Sequence, residues 1–166
     1  MAGKTKSVVK TRKTLSVKDL SNEQVKVFQD VSKNSKLQHI LLMESHFKCS
    51  HVEYFKAVEK ELIEFSYGSS VKALNYDKET GNSFVVFDWE VEAINQNAED
   101  NAKSIVAINS TYMVRYDISG SFDSEIVELF LRHVGKVASY PYFRNQVSQK
   151  SWESDLELPI LPVISA

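Results

Sequence analysis

The chain has a single cysteine, Cys49, in 166 residues, so no intramolecular disulfide framework holds it together. No apolar run approaches the ~20 residues that a membrane-spanning helix needs. The basic N-terminus is not followed by the apolar block of roughly 7–15 residues that marks a secretory signal. These lacks predict a cytoplasmic protein with no membrane insertion. Glycine is sparse, at five residues, and none forms a Gly-rich phosphate loop. There is no nucleophile elbow and no His-Glu-x-x-His motif. The only obvious acid/base candidates are His39, His46, His51 and His133. His46 and His51 with Cys49 between them invite a metal reading. On a strand, however, His46 and Cys49 face opposite sides, and a fourth ligand is missing. Asp88, Glu90 and Glu92 read as a solvated strand face. Asn109-Ser-Thr111 fits a glycosylation pattern but falls in a predicted strand. The expectation is a non-enzymatic protein with no cofactor and no metal.

What is present fits one globular domain. Apolar residues make up 43% and charged residues 25%, enough to bury a core at this length. Charge is unevenly placed. Residues 1–18 hold Lys4, Lys6, Lys10, Arg12, Lys13 and Lys18 and no acid, so the remainder carries −8 against a net −2. Residues 1–20 are therefore read as a flexible basic arm, with 21–166 as the domain. The arm has a second reading, as an electrostatic tether to nucleic acid or an acidic partner. Val8, Val9 and Leu15 would also let it dock as a strand. It lacks interleaved aromatics to stack bases, which argues against a nucleic-acid partner.

The domain opens with Ser21-x-x-Gln24, a capping box with Leu20 and Val25 as its staple, heading a helix over about 22–32. Val25, Phe28 and Val31 give that helix a narrow apolar face, expected to meet something else in the assembly. A strand is predicted over 37–48, with a bulge near Leu41–Leu42 where the apolar phase shifts. Residues 51–66 are ambiguous. Phe55, Val58, Leu62 and Phe65 have helical spacing, whereas Ile63, Phe65 and Tyr67 alternate. A second strand is predicted over 70–77 and a tight connection over 77–82, with Gly81 at positive φ. The third strand is the clearest, with Val85, Phe87, Trp89, Val91 and Ala93 on one face. A polar turn over 95–102 and a fourth strand over about 103–118 follow. The last three strands should form an antiparallel meander. Asp123 caps a helix over about 124–134 that Gly135 ends. A second helix spans about 137–151, with Pro141 in its first turn. The fold class is α+β: a four-stranded antiparallel sheet with helices packed on one face.

The C-terminal third carries the functional signal. Tyr140-Pro141-Tyr142-x-Arg144 opens a helix, and Leu158-Pro159-Ile160-Leu161-Pro162-Val163 forms an extended strip. With Glu44 three residues before Phe47 in the first strand, this order resembles the SecB family of export chaperones, over roughly residues 37–164. The resemblance implies a dimer-of-dimers homo-tetramer that uses no nucleotide. Members hold precursor polypeptides unfolded in surface grooves and deliver them to the translocase motor SecA. Aromatic and leucine side chains suit such grooves, because a holdase needs exposed apolar area and free strand edges. The expected client contacts are Tyr140, Tyr142, Phe143, Trp152, Leu158, Ile160 and Leu161. Arg144 is expected to be structural or to form an inter-subunit ion pair.

Three departures bear on the motor. Lys48 stands where an acidic residue is expected, and Asn109 occupies another such place. The chain stops at Ala166, short of the family's further helix and tail. It also adds a basic arm and a capped N-terminal helix. These speak against SecA docking more than against client binding. Some divergent relatives serve as dedicated chaperones of antitoxins, which is the first alternative function. A small-ligand-binding α+β domain and an adaptor working through the basic arm are the others.

Overall fold

A computed structural model describes residues 17–95 and 104–162. The basic arm up to residue 16, most of the expected turn at 95–102, and Val163 and Ile164 lie outside them. A short 3-10 turn, Val17–Asp19, leads into helix α1, Asn22–Lys33. Strand β1 is Ser35–Cys49, helix α2 is His51–Glu59 and strand β2 is Ile63–Tyr76. Strands β3, Asn82–Asn95, and β4, Ser104–Ile118, precede helix α3, Ser124–Ser154. An extended segment, here called the strap, runs from 156 to 162.

The four strands form one antiparallel sheet in the order β1-β4-β3-β2. The meander β2-β3-β4 follows chain order, and β1 adds to its far side, so the connection through α2 crosses the sheet. Strict alternation along β3 and β4 sends Val85, Phe87, Trp89, Val91, Ile108, Tyr112 and Val114 inward, where all are buried. Full burial of each large apolar side chain contributes roughly 1.5–3 kcal/mol. The register of β1 shifts between Leu37 and His39 and again between Leu42 and Glu44. Gln38 and Met43 are thus extra residues, and the expected bulge sits at Met43, beside Leu42. A third shift, at Lys72, divides β2.

Turn and cap chemistry follows the sequence closely. Ser21 Oγ accepts from Gln24 N at 3.3 Å, and Gln24 Oε1 accepts from Ser21 N at 3.0 Å. Asp123 Oδ1 accepts from Glu125 N at 2.8 Å and caps α3. In the β2–β3 turn, Asp77 accepts from Thr80 Oγ1 at 2.6 Å and from Glu79 N at 3.0 Å. Gly81 has φ +74° there, and a Cβ on it would lie 2.4 Å from the Ile118 carbonyl oxygen.

Two expectations change. The helices expected on either side of Gly135 are one continuous α3 of 31 residues, with Pro141 in its interior. Gly135 is there for approach, not termination: a Cβ would stand 2.6 Å from Val85 Cγ1 and 3.1 Å from Phe87 Cε2. Pro141 gives up one helical hydrogen bond. The aromatics beside it hold the helix to the sheet, with Trp89 stacked on Phe143 at 5.4 Å between ring centroids and tilted against Tyr140 at 5.2 Å. Helix α1 meets α3 of its own chain: Phe28 lies edge-on to Phe130 at 5.9 Å, and Val31 is fully buried.

Candidate functional site

Two clefts flank the C-terminal half of α3. The first, of about 450 Å³, lies between α2 and the end of α3 and is floored by the start of the strap. Its walls are Tyr54, Phe55 and Val58 from α2, Ser151 and Trp152 from α3, and Asp155, Leu156 and Glu157. Helix α2 creates the apolar side by having two apolar faces. Tyr54 and Ala57 turn inward and are buried, while Val52, Phe55 and Val58 recur every three residues on the outside and stay exposed. Tyr54 fixes the helix to the strap by donating from Oη to the Glu157 carbonyl at 3.0 Å, and His51 Nε2 donates to the Ser154 carbonyl at 3.1 Å. Burial, then the Glu157 charge, pushes the Tyr54 phenol up, so it remains a donor at neutral pH.

The second cleft, of about 560 Å³, lies between β1 and α3. Ile40, Leu42, Ser45 and Phe47 contribute from β1, Tyr112 from β4, and Tyr142, Asn145, Gln146, Gln149 and Lys150 from α3. The cleft is open because α3 lies over the centre of the sheet, so the inward face of β1 is apolar yet exposed at Leu37 and Leu42. Gln146 spans its floor: Tyr112 Oη donates to Gln146 Oε1 at 2.8 Å, and Gln146 Nε2 donates to Ser45 Oγ.

The expected client-contact residues divide between surface and interior. Trp152, 88% exposed, is in the first cleft; Tyr142, 53% exposed, is in the second; Ile160, 85% exposed, points away from the body on the strap. Tyr140, Phe143, Leu158 and Leu161 are buried in the core. Tyr140 Oη donates to the Pro162 carbonyl at 2.6 Å, and Arg144 Nε donates to the Leu161 carbonyl at 2.8 Å. Arg144 therefore holds the strap to its own chain. Phe55, Val52 and Val58, and Leu42 and Phe47 on β1, were not among the expected residues. Their signal was the helical spacing after Ser50 and the apolar phase of β1.

The remaining polar clusters are accounted for locally. On the open face of the sheet, Asp88 Oδ1 accepts from Thr111 Oγ1 at 2.6 Å and lies 3.5 Å from Lys72 Nζ. Glu44 accepts from His46 at 2.7 Å, and that hydrogen bond, then the His46 charge, lowers its pKa. Burial raises the Cys49 thiol, which disfavours a nucleophilic thiolate. Among the described residues no three His, Cys, Asp or Glu side chains converge as metal ligands, and no helix is long and apolar enough to cross a membrane.

The SecB-like chaperone Rv1957 of Mycobacterium tuberculosis, solved in complex with a ChAD peptide from the Rv1956 HigA1 antitoxin, is similar to this structure at a TM-score of 0.65. The match covers 85% of this chain and 98% of that one, at 13% sequence identity. The fold is SecB-like. At that identity the likeness is one of architecture. A protein of unknown function from Streptococcus agalactiae overlaps 80% of this chain and 95% of that one at a TM-score of 0.33 and 11% identity, too distant to inform the site. No family model matches the sequence, and no curated protein does. Within this SecB-like fold the Tyr140-Pro141-Tyr142-x-Arg144 motif is a clamp with two sides. Tyr140, Phe143 and Arg144 hold Trp89 and the strap, while Tyr142 faces the second cleft.

Proposed function

We propose that the protein is an ATP-independent chaperone that holds non-native polypeptide segments in the two clefts beside α3. The observation that carries this reading is the exposure of Phe55, Trp152 and Tyr142 along open clefts of a SecB-like fold. Exposed aromatics of this kind bind extended apolar segments without demanding one sequence. The first contact set is Phe55, Trp152 and Tyr142. Several weak subsites on a multimer would add up to useful affinity. The assembly expected is a homo-tetramer, and the outer edge of β1, which has exposed leucines and no strand partner among the described residues, supports pairing with a second copy. Lys48 on the open sheet face argues against docking to an export motor by way of acidic residues.

The test is binding of a permanently unfolded polypeptide by the purified protein, with the mass of the complex as readout. Saturable capture of several unrelated chains, weakened about tenfold or more by Trp152→Ala with Phe55→Ala, is the expected result. Indifference to both substitutions would place the client elsewhere.

A second reading has its own support. The neighbouring structure holds an antitoxin peptide, and a chaperone dedicated to one such partner would use the same clefts. It predicts tight binding of one peptide and no capture of unrelated unfolded chains.

A further inference from the structure

The strap is held to the body as a peptide ligand would be. Every hydrogen bond described from the body to it reaches main chain: Tyr54 to the Glu157 carbonyl, Arg144 to the Leu161 carbonyl, and Tyr140 to the Pro162 carbonyl. Ser151 Oγ donates to the Leu156 carbonyl and accepts from Leu158 N at 3.2 Å. No strap side chain takes part in any of these. Its specificity lies in three leucines, Leu156, Leu158 and Leu161, that enter the core, while Glu157 and Ile160 between them face solvent. The strap joins no strand ladder. Pro159 and Pro162 have no N–H with which to extend one. Its first residues, Leu156 and Glu157, form part of the first cleft. Fixed donors for main-chain carbonyls with apolar sockets two or three residues apart are the requirements of a site for extended polypeptide.

We propose that the strap occupies such a site in cis, as a built-in competitor. The partner it yields to is an extended client segment with leucine-like side chains spaced two and then three residues apart, as in Leu156, Leu158 and Leu161. The client would accept from Tyr54, Arg144 and Tyr140 and fill the sockets the strap leaves. Binding is then an exchange of one leucine segment for another, so the core is never left open. The apparent affinity for client is lowered by the fraction of molecules whose strap is seated. This inference rests on the chaperone reading and names the site and partner chemistry within it. It also gives the buried Tyr140 a role toward client that the resting structure conceals.

The test uses the full chain and two probes: a fluorescent peptide copying residues 155–166, and a permanently unfolded polypeptide. Leu161→Ala weakens the strap without altering the donors of the site. Competition predicts that this variant binds the peptide at least about tenfold more tightly than the parent. A peptide with its three leucines replaced by aspartate should bind neither. Weaker or unchanged peptide binding by Leu161→Ala would make the strap a fixed wall and overturn the inference. Should Leu161→Ala fold poorly, Ile160→Asp decides instead, because its side chain is exposed. Competition leaves peptide affinity unchanged in that variant, whereas a wall contacting the client through Ile160 loses affinity. Capture of the unfolded polypeptide without capture of the peptide would sink the exchange and leave the chaperone reading standing. Failure with both probes would remove both.

Discussion

At the scale of residues, Gly135 and Trp89 set how closely helix and sheet approach. Trp89 Nε1 donates to Ser139 Oγ at 3.2 Å, and Ser139 in turn donates to the Gly135 carbonyl at 3.0 Å, so the buried indole is satisfied on the helix that covers it. Gly135→Ala opposes two effects. Helix propensity favours alanine by about 1 kcal/mol. The new Cβ, 2.6 Å from Val85 Cγ1, forces overpacking that costs typically about 1–3 kcal/mol. Net destabilisation is expected, read as a lower urea midpoint at unchanged slope; a higher midpoint would show that the helix can lift off β3. The sequence could not distinguish this glycine from a helix stop, because termination and close approach use the same residue. Tyr116 gives the pH dependence. Burial pushes its phenol up to about 12 from 10.0. Its stabilising contribution is complete below pH 10 and lost as pH rises through about 12. Tyr54, Tyr112 and Tyr140 shift in the same direction, mainly through burial. Alkaline unfolding should therefore begin above pH 10, and Tyr116→Phe should move its onset upward; an onset unchanged by that substitution would assign the effect to the other phenols.

At the scale of elements, what was legible depended on whether the governing interaction is local. The capping box of α1, the Asp123 cap of α3 and the Asp77–Gly81 turn involve neighbours within four residues and were readable. So was β3, whose two-residue period survives because helices cover one side only. The helix α2 was ambiguous because Ile63, Phe65 and Tyr67 alternate directly after it. Glu61, at φ 54°, is where the chain leaves one pattern for the other. The inward turn of Tyr140, Leu158 and Leu161 was not legible. A leucine-proline strip looks the same whether it lies on the surface or is drawn in by donors 17 and 22 residues earlier, Arg144 and Tyr140. Tyr140→Phe isolates one of those donors. It removes the bond to the Pro162 carbonyl and keeps the ring against Trp89, so the expected loss is about 0.5–1.5 kcal/mol. The check is chemical denaturation together with hydrogen exchange. Faster exchange confined to the strap is expected, and exchange spread evenly over α3 would mean the ring itself had moved.

At the scale of the whole molecule, the order β1-β4-β3-β2 leaves β1 and β2 as edges, and the two edges are not equivalent. Chain order implied the meander but gave no means of placing β1. Its pairing with β4 joins residues up to 83 apart, such as Ser35 and Ile118, and turn signals do not encode such distances. Once β1 is placed at the margin of the cover that α3 provides, its pattern acquires a second meaning. Leu37 and Leu42 point to the same side as the buried core but remain exposed, while Leu41 and Met43 are also open. A strand that exposes Leu37, Leu41, Leu42 and Met43 and has no partner along one edge among the described residues is a poor surface for a monomer. Pairing with a second copy would cover it and extend the β1–α3 cleft across the junction. Leu42→Lys tests this, because the ammonium would have to be buried at such a junction but sits in solvent on a single chain. Light scattering should give a multiple of the chain mass for the parent protein and a single-chain mass for the variant, with the same circular dichroism spectrum. A parent protein that remains a single chain at working concentration would leave the β1 edge to the client, and Leu42→Lys would then lower client affinity instead of changing the mass.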